Sequence, residues 1–134
     1  MKTAIVTGAA RGIGLATTKW FLNEGWQVAM IDRDAPALES ASAGLDHVHP
    51  ILCDVSQPDQ VDAMVAEVAG WTDGLDALVN NAGVADFGPI EAHDFARWRT
   101  VMETNLDGVF LCTQASLPLL KAAKGSVVNI ASIS

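Results

Sequence analysis

One stretch of sequence decides the fold of this chain: Thr7-Gly8-Ala9-Ala10-Arg11-Gly12-Ile13-Gly14, set between an apolar run at 2–6 and a helical pattern at 15–21. Three glycines between a strand and a helix let the backbone approach a ligand closely, because no Cβ stands in the way. The helix that begins here directs its N–H groups and the positive end of its dipole at the turn, which favours a pyrophosphate. The stretch therefore predicts a dinucleotide site with contacts from Gly8, Arg11, Gly12, Ile13 and Gly14.

The composition is that of an acidic folded domain. Half of the 134 residues are hydrophobic and 18% are charged, which excludes a disordered segment and predicts a single domain over 1–134. Eight basic and sixteen acidic side chains give a formal net charge of −8. Because an acidic chain attracts neither a phosphate backbone nor anionic lipid, we expect neither nucleic acid nor a membrane surface as a partner.

The sequence also bears on location and on metals. No apolar stretch is long enough to span a bilayer, and Met1-Lys2 runs into a predicted strand without a signal peptide. Cys53 and Cys112 show no disulfide pairing pattern, so we expect a reduced, cytoplasmic protein. His47 and His49 have a spacing that puts both rings on one face of a strand, but no third ligand is evident, so no metal site is predicted.

Short strand-like runs alternate with longer helical patterns. The strand-like runs are almost continuously apolar, which is typical of a parallel sheet covered on both faces. This alternation predicts an α/β fold with a doubly wound, Rossmann-type parallel sheet built from right-handed βαβ units. The predicted strands are Thr3–Thr7, Gln27–Ile31, His49–Cys53, Ala77–Asn80 and Ser126–Ala131. The predicted helices are Gly12–Asn23, Ala35–Ala43, Pro58–Ala69 and Val101–Lys121.

Two helices carry a proline with a local consequence. Pro58 lies at a helix start, where its missing N–H costs nothing, and Ser56 before it is a plausible cap. Pro118 falls inside an apolar helical pattern, so we expect it to kink or shorten that helix.

Asp32 stands at the end of the second predicted strand, beyond the glycine-rich turn. A carboxylate at this place can accept hydrogen bonds from the adenosine ribose hydroxyls and would repel a 2′-phosphate, which favours NAD over NADP. Arg11 and Arg33 favour the opposite preference, because either guanidinium could pair with a 2′-phosphate. NAD is the expected cofactor, and NADP stays open.

With these motifs the chain resembles the short-chain dehydrogenase/reductase family, from Lys2 to its last residue. Thr7 to Gly14 looks like the T-G-x-x-x-G-x-G cofactor motif of that family, and Asn80-Asn81-Ala82-Gly83 like its N-N-A-G motif. Asp54-Val55 is similar to the pair that holds the adenine ring. Thr104-Asn105-Leu106 and the segment 126–132 are similar to the segments that carry a catalytic asparagine and a catalytic serine, here Asn105 and Ser132.

The resemblance implies an oxidoreductase that transfers hydride between a nicotinamide cofactor and a small alcohol or ketone. It adds Asp54, Val55, Asn81, Ala82 and Gly83 to the expected cofactor contacts. It also implies a homodimer or homotetramer, with Val109, Phe110 and 112–115 of the long helix as possible interface positions. The N-N-A-G segment and the serine after the fifth strand argue against a nucleotide-binding methyltransferase.

The chain contains no tyrosine. Catalysis in the family resembles proton transfer by the Tyr of a Y-x-x-x-K motif beyond the serine, so we expect the domain to be incomplete at its C-terminal end. Its five strands would then belong to a larger sheet, and the fifth would leave an apolar edge at Val127, Val128 and Ile130. The 134-residue chain alone is expected to be inactive. The alternative is a non-catalytic NAD-binding or interaction module.

Overall fold

The structure, a computed structural model, describes residues 1–132. Within that range five strands form one parallel sheet in the order β3-β2-β1-β4-β5. The strands are β1 (Thr3–Thr7), β2 (Gln27–Asp32), β3 (Val48–Leu52), β4 (Ala77–Asn80) and β5 (Ser126–Asn129). The chain adds strands on one side of β1 and then, from β4, on the other, so the predicted doubly wound α/β fold is confirmed. The switch point lies between β1 and β4, where such sheets bind their ligands.

The sheet is covered on both faces by helices. They are α1 (Gly12–Asn23), α2 (Ala35–Ser42), α3 (Pro58–Ala69), α4 (Phe95–Met102) and α5 (Gly108–Ala123), with a short 3-10 helix at Ile90–Ala92. Neighbouring residues of one strand point to opposite faces. Ile5 therefore joins a core with α3 and α5, whereas Val6 joins a core with residues of α1 and α2, and both are fully buried. The apolar runs of the sequence reflect this double cover.

The predicted long helix, Val101–Lys121, is wrong in its shape. The helical region begins at Phe95, because the carboxylate of Asp94 accepts a hydrogen bond from Arg97 N and caps α4. A π-helical segment, Glu103–Asp107, then separates α4 from α5. Elsewhere the observed bounds lie within two residues of the predicted ones.

Two expectations about α5 need correction. The helix continues past Pro118 to Ala123, so this proline does not shorten it. Cys112 is fully buried against the sheet and is not an interface position, whereas Phe110 is 60% exposed. The physical reason is that α5 packs on the sheet through one face only, and Cys112 lies on that face.

Strand β5 pairs only with β4 among the described strands, and all four of its residues are exposed. Val127, Val128 and Ile130 therefore form an apolar edge, as expected from the sequence. In the described part of the chain, no helix has the length and apolar character needed to cross a membrane.

Candidate cofactor site

An open cavity of about 260 Å³ lies at the carboxyl ends of the central strands. Nine of the twelve predicted cofactor contacts line it: Gly8, Arg11, Asp32, Arg33, Asp54, Val55, Asn81, Ala82 and Gly83. The motifs that carry these residues are far apart in the sequence, and the parallel sheet brings their strand ends to one edge. Four further lining residues were not predicted: Ile31, Cys53, Val84 and Thr104.

The glycine turn leaves no room for side chains where it meets the strand end of β4. Gly8 has a φ of +64°, and a Cβ placed on it would lie 3.0 Å from Ala82 Cα. Gly14 is buried at the start of α1, where a Cβ would overlap the carbonyl oxygen of Gly8. Glycine at these two positions therefore lets the turn and the start of α1 pack closely against each other and against Asn81 and Ala82.

Three predicted contacts, Gly12, Ile13 and Gly14, lie in the first turn of α1 and do not line the cavity. Ile13 is 61% exposed, whereas Gly14 packs α1 against Gly8. Arg11 is the N-cap residue of α1 and makes no capping hydrogen bond through its side chain. The first N–H groups of a helix have no partner within the helix, so α1 can present them to an anion.

Asp32 ends β2 on the cavity wall, and the backbone fixes its carboxylate. Its Oδ2 accepts a hydrogen bond from Ala10 N at 3.0 Å, and its Oδ1 accepts one from Asp34 N at 3.0 Å. Each carboxylate oxygen can accept more than one hydrogen bond, so both keep capacity for hydroxyl donors. The carboxylate is therefore held in place and can still accept further hydrogen bonds.

Arg11 also lines the cavity, and its guanidinium is engaged by Asp34. Arg11 Nη2 donates to Asp34 Oδ2 at 2.6 Å. The hydrogen bond and the charge of Asp34 raise the pKa of Arg11, and the hydrogen bond from Arg11 is the main cause of the lowered pKa of Asp34. Both groups are thus charged at neutral pH.

Asp54 organises the loop after β3. Its Oδ1 accepts hydrogen bonds from Ser56 N at 3.0 Å and from Ser56 Oγ at 2.7 Å. The expected cap at Ser56 is therefore wrong: this hydroxyl turns back to Asp54, and the N-cap residue of α3 is Gln57, which makes no side-chain cap. Val55 is buried, and Gly108 lets α5 begin close against it.

The Asn81-Ala82-Gly83 segment is fastened to β1 by Thr7. Thr7 Oγ1 accepts hydrogen bonds from Asn81 N and Ala82 N, each at 2.9 Å. The Asn81 amide in turn donates to the carbonyl oxygens of Thr7 at 3.1 Å and Gly8 at 3.3 Å. Thr7 is therefore a positioning residue for this segment, beyond its place in the glycine-rich motif. A buried hydroxyl one residue before the first glycine was the signal available.

Asn105 lies in the π-helical segment and binds the loop that follows Gly83. Its Nδ2 donates to Val84 O and its Oδ1 accepts from Val84 N, both at 2.8 Å. The side chain of Asn105 thus holds one wall of the cavity in place, and its neighbour Thr104 lines that wall.

Ser132 follows β5, whose end is tied to β4 by a hydrogen bond from Ile130 N to Asn80 O at 3.0 Å. It lies on the same edge of the sheet as the strand-end residues above and is exposed. It does not line the cavity. The structure therefore brings nine of the predicted cofactor contacts together and leaves Ser132 beside them.

Both cysteines are buried, and Cys53 forms part of the cavity floor. Burial raises the pKa of Cys53 to about 11, with a smaller contribution from the charge of Asp54. Burial likewise raises the pKa of Cys112 to about 12. Both thiols hold their protons at neutral pH and are poor nucleophiles. Among the described residues, no group of three or more His, Cys, Asp or Glu side chains is placed to hold a metal ion.

The sheet order, the glycine turn and the strand-end cavity define a Rossmann-type α/β domain. The family model described as short chain dehydrogenase matches residues 2–134. The chain belongs to the short-chain dehydrogenase/reductase family, and the predicted membership is confirmed.

Known relatives agree with this assignment. The chain is 36% identical to a 3-alpha-(or 20-beta)-hydroxysteroid dehydrogenase of Mycobacterium tuberculosis, over 98% of this chain and 52% of that protein. It is 37% identical to a serine 3-dehydrogenase of Agrobacterium fabrum, over 98% of this chain and 53% of that protein. An alcohol dehydrogenase of Thermococcus sibiricus, solved in complex with 5-hydroxy-NADP, superposes with a TM-score of 0.92 at 30% identity, over 96% of this chain and 57% of that one. The chain spans about half the length of the curated relatives it matches.

Proposed function

We propose that this chain holds the nicotinamide cofactor of a dehydrogenase or reductase that transfers hydride between NAD and a small alcohol or ketone. The observation that carries the proposal is the Asp32 carboxylate, fixed by two backbone N–H groups on the wall of a cavity at the sheet's switch point. A carboxylate at the end of the second strand suits the two hydroxyls of an adenosine ribose.

The other cavity residues have places in the same proposal. The turn at Gly8 and the start of α1 would receive the pyrophosphate, and Asp54 with Val55 would border the adenine. Asn81, Ala82 and Gly83 would border the half of the cofactor that carries the nicotinamide. When bound, that ring supplies the site at which hydride is gained or lost.

We assign the substrate side to Ser132 and Asn105. A hydroxyl at Ser132 can donate to a carbonyl oxygen as it gains negative charge. Asn105 would act by holding Val84, and with it the wall next to the nicotinamide. The sequence has no tyrosine, so we propose that the proton-transfer group of the whole protein lies outside these 134 residues. The chain alone would then bind cofactor without turnover.

NADP is the second candidate cofactor, and two observations favour it. Arg11 and Arg33 line the cavity, and either could meet a 2′-phosphate. The related Thermococcus sibiricus enzyme was solved with an NADP analogue. We favour NAD because Arg11 is already paired with Asp34, and because a 2′-phosphate would approach the carboxylate of Asp32.

Location and assembly complete the proposal. We place the protein in the cytoplasm, where buried reduced cysteines are the norm. We further propose a homodimer or homotetramer formed through α5, whose Phe110 and Leu117 are 60% and 42% exposed. Sedimentation of the chain over a range of concentrations tests this assembly, and a monomer at all of them would contradict it.

Calorimetric titration of the 134-residue chain with NAD and with NADP tests the proposed cofactor. We expect both to bind, NAD more tightly, and no reduction of NAD when a secondary alcohol is added. Failure of both cofactors to bind would overturn the proposal. Turnover by this chain would contradict the assignment of the proton-transfer group to a segment outside it.

A further inference from the structure

Asp34 contacts both Arg11, which would favour NADP, and Asp32, which would favour NAD. It is the N-cap residue of α2, where its Oδ1 accepts a hydrogen bond from Ala37 N at 3.1 Å. Its Oδ2 holds the guanidinium of Arg11 at 2.6 Å, and its own N–H donates to Asp32 Oδ1 at 3.0 Å. Arg11 and Asp32 line the cavity, whereas Asp34 does not.

We propose that Asp34 is a specificity-determining residue that favours NAD by holding Arg11 away from a 2′-phosphate. The inference rests on the proposed function, because it requires the cavity to hold the adenosine end of a nicotinamide dinucleotide. Asp34 would act on the choice of cofactor through Arg11, without touching the cofactor itself.

The chemistry of the guanidinium supports this role. Arginine binds a phosphate best through two parallel N–H donors, and Nη2 of Arg11 is already committed to Asp34. A phosphate that approached Arg11 would have to compete with Asp34 for the guanidinium and would lie near two carboxylates, those of Asp34 and Asp32.

The exposure of the pair sets the size of the effect. The Arg11 side chain is 68% exposed and that of Asp34 is 39% exposed, so water and salt screen their attraction. The pair therefore adds little to the stability of the fold. A modest attraction is nevertheless enough to bias a choice between two cofactors that differ by one phosphate.

Asp34→Asn removes the negative charge of this side chain and keeps its capping oxygen. Asparagine is as good an N-cap as aspartate, so α2 should keep its hydrogen bond from Ala37 N while Arg11 loses its anionic partner. The probes are 5′-AMP and adenosine 2′,5′-bisphosphate, titrated calorimetrically into the full 134-residue chain. We expect the affinity ratio of the bisphosphate to AMP to rise by about fivefold in the variant.

Asp94→Asn is the matched control. Asp94 caps α4 in the same way, accepting from Arg97 N, and it does not line the cavity. The substitution changes the net charge of the chain by the same amount, so an equal rise in the ratio would reveal a general charge effect and would overturn the proposal.

The double variant Asp34→Asn/Arg11→Ala tests whether the gain passes through Arg11. It should lose the gain seen in Asp34→Asn; a retained gain would show that the effect does not pass through Arg11 and would overturn the proposal. An unchanged ratio in Asp34→Asn, with AMP and NAD still binding, would overturn this inference and leave the proposed function standing. If the wild-type chain binds neither AMP nor NAD, both fail. Should Asp34→Asn not fold, Asp34→Ser keeps a capping oxygen and gives the same expectation.

Discussion

The side chain of Asn105 makes two hydrogen bonds with the backbone of a single residue, Val84, one with its N–H and one with its carbonyl oxygen. This reciprocal pair needs an amide, because only an amide offers a donor and an acceptor side by side. The π-helical segment Glu103–Asp107 is the part of the chain that presents it.

Asn105→Asp should weaken the fold by about 1 kcal/mol, because a carboxylate can still accept from Val84 N but cannot donate to Val84 O. Urea unfolding measures the change. Gln114→Glu makes the same amide-to-carboxylate change at an exposed position of α5 and should leave the unfolding midpoint nearly unchanged. Equal midpoints for the two variants would show that the Val84 bonds contribute nothing.

Thr7→Val should lower the free energy of unfolding by about 2 kcal/mol, because it leaves the N–H groups of Asn81 and Ala82 without their acceptor. Thr7 is 2% exposed, so water cannot replace the lost hydroxyl. Thr7→Ser keeps the hydroxyl and should recover most of the loss. A Thr7→Ser variant that unfolds at the same urea concentration as Thr7→Val would contradict the role given to the hydroxyl.

Gly14→Ala should destabilise the chain by about 2 kcal/mol, since the added Cβ meets the Gly8 carbonyl oxygen and Asn81 Nδ2. Gly70→Ala, at the end of α3, places its Cβ no closer than 3.5 Å to any neighbour and should be neutral or slightly stabilising. Thermal unfolding of both variants provides the comparison. A neutral Gly14→Ala would mean that α1 can move away from the turn.

Asp32→Ala should narrow the preference for NAD over NADP by about tenfold, because it removes both the ribose acceptor and the charge that repels a 2′-phosphate. Calorimetric affinities for the two cofactors give the ratio. Asp46→Ala removes an equal charge from an exposed residue outside the cavity and should leave the ratio unchanged. An unchanged ratio in Asp32→Ala would contradict the proposed role of Asp32 in cofactor choice.

The buried thiol of Cys112 should make stability fall at alkaline pH. Its pKa is raised by burial from 9.0 to about 12, so in that window the unfolded chain loses the proton and the folded chain keeps it. The unfolded state is thereby favoured as the pH rises above 9.0. Between pH 8 and pH 10 the wild type should lose about 1 kcal/mol more than Cys112→Ala in urea titrations. Parallel pH profiles would contradict the raised pKa.

Much of the lining of the candidate site could be predicted because strand ends of a parallel sheet meet at one edge. Gly8, Asp32 and Asn81 come from three separate motifs, and their order along the chain was enough to place them together. Thr104 and Val84 were missed because they reach the cavity through the contact between a π-helical segment and a loop, and neither has a periodic sequence signal. The expectation that Pro118 could shorten its helix was wrong, since α5 continues through it to Ala123.

The positions of Ser132 and Cys112 relative to the cavity and the sheet could be predicted less well from the sequence. Ser132 could be placed at the edge of the sheet by its strand, but its distance from the cavity depends on how the chain turns after Asn129. Cys112 was included among the possible interface positions of the long helix, whereas contacts with the sheet decide which side of α5 is buried.

The hydroxyl of Thr7 binds the N–H groups of Asn81 and Ala82, which lie 74 and 75 positions further along the chain. During synthesis Thr7 would therefore emerge well before the segment at the end of β4 that its hydroxyl binds. Closing so long a loop carries an entropic cost that local contacts cannot recover, and it slows folding. Cofactor affinity should consequently arise late, in one step, when β4 docks beside β1, and a nascent chain that stops before Ala82 should not bind nucleotide at all.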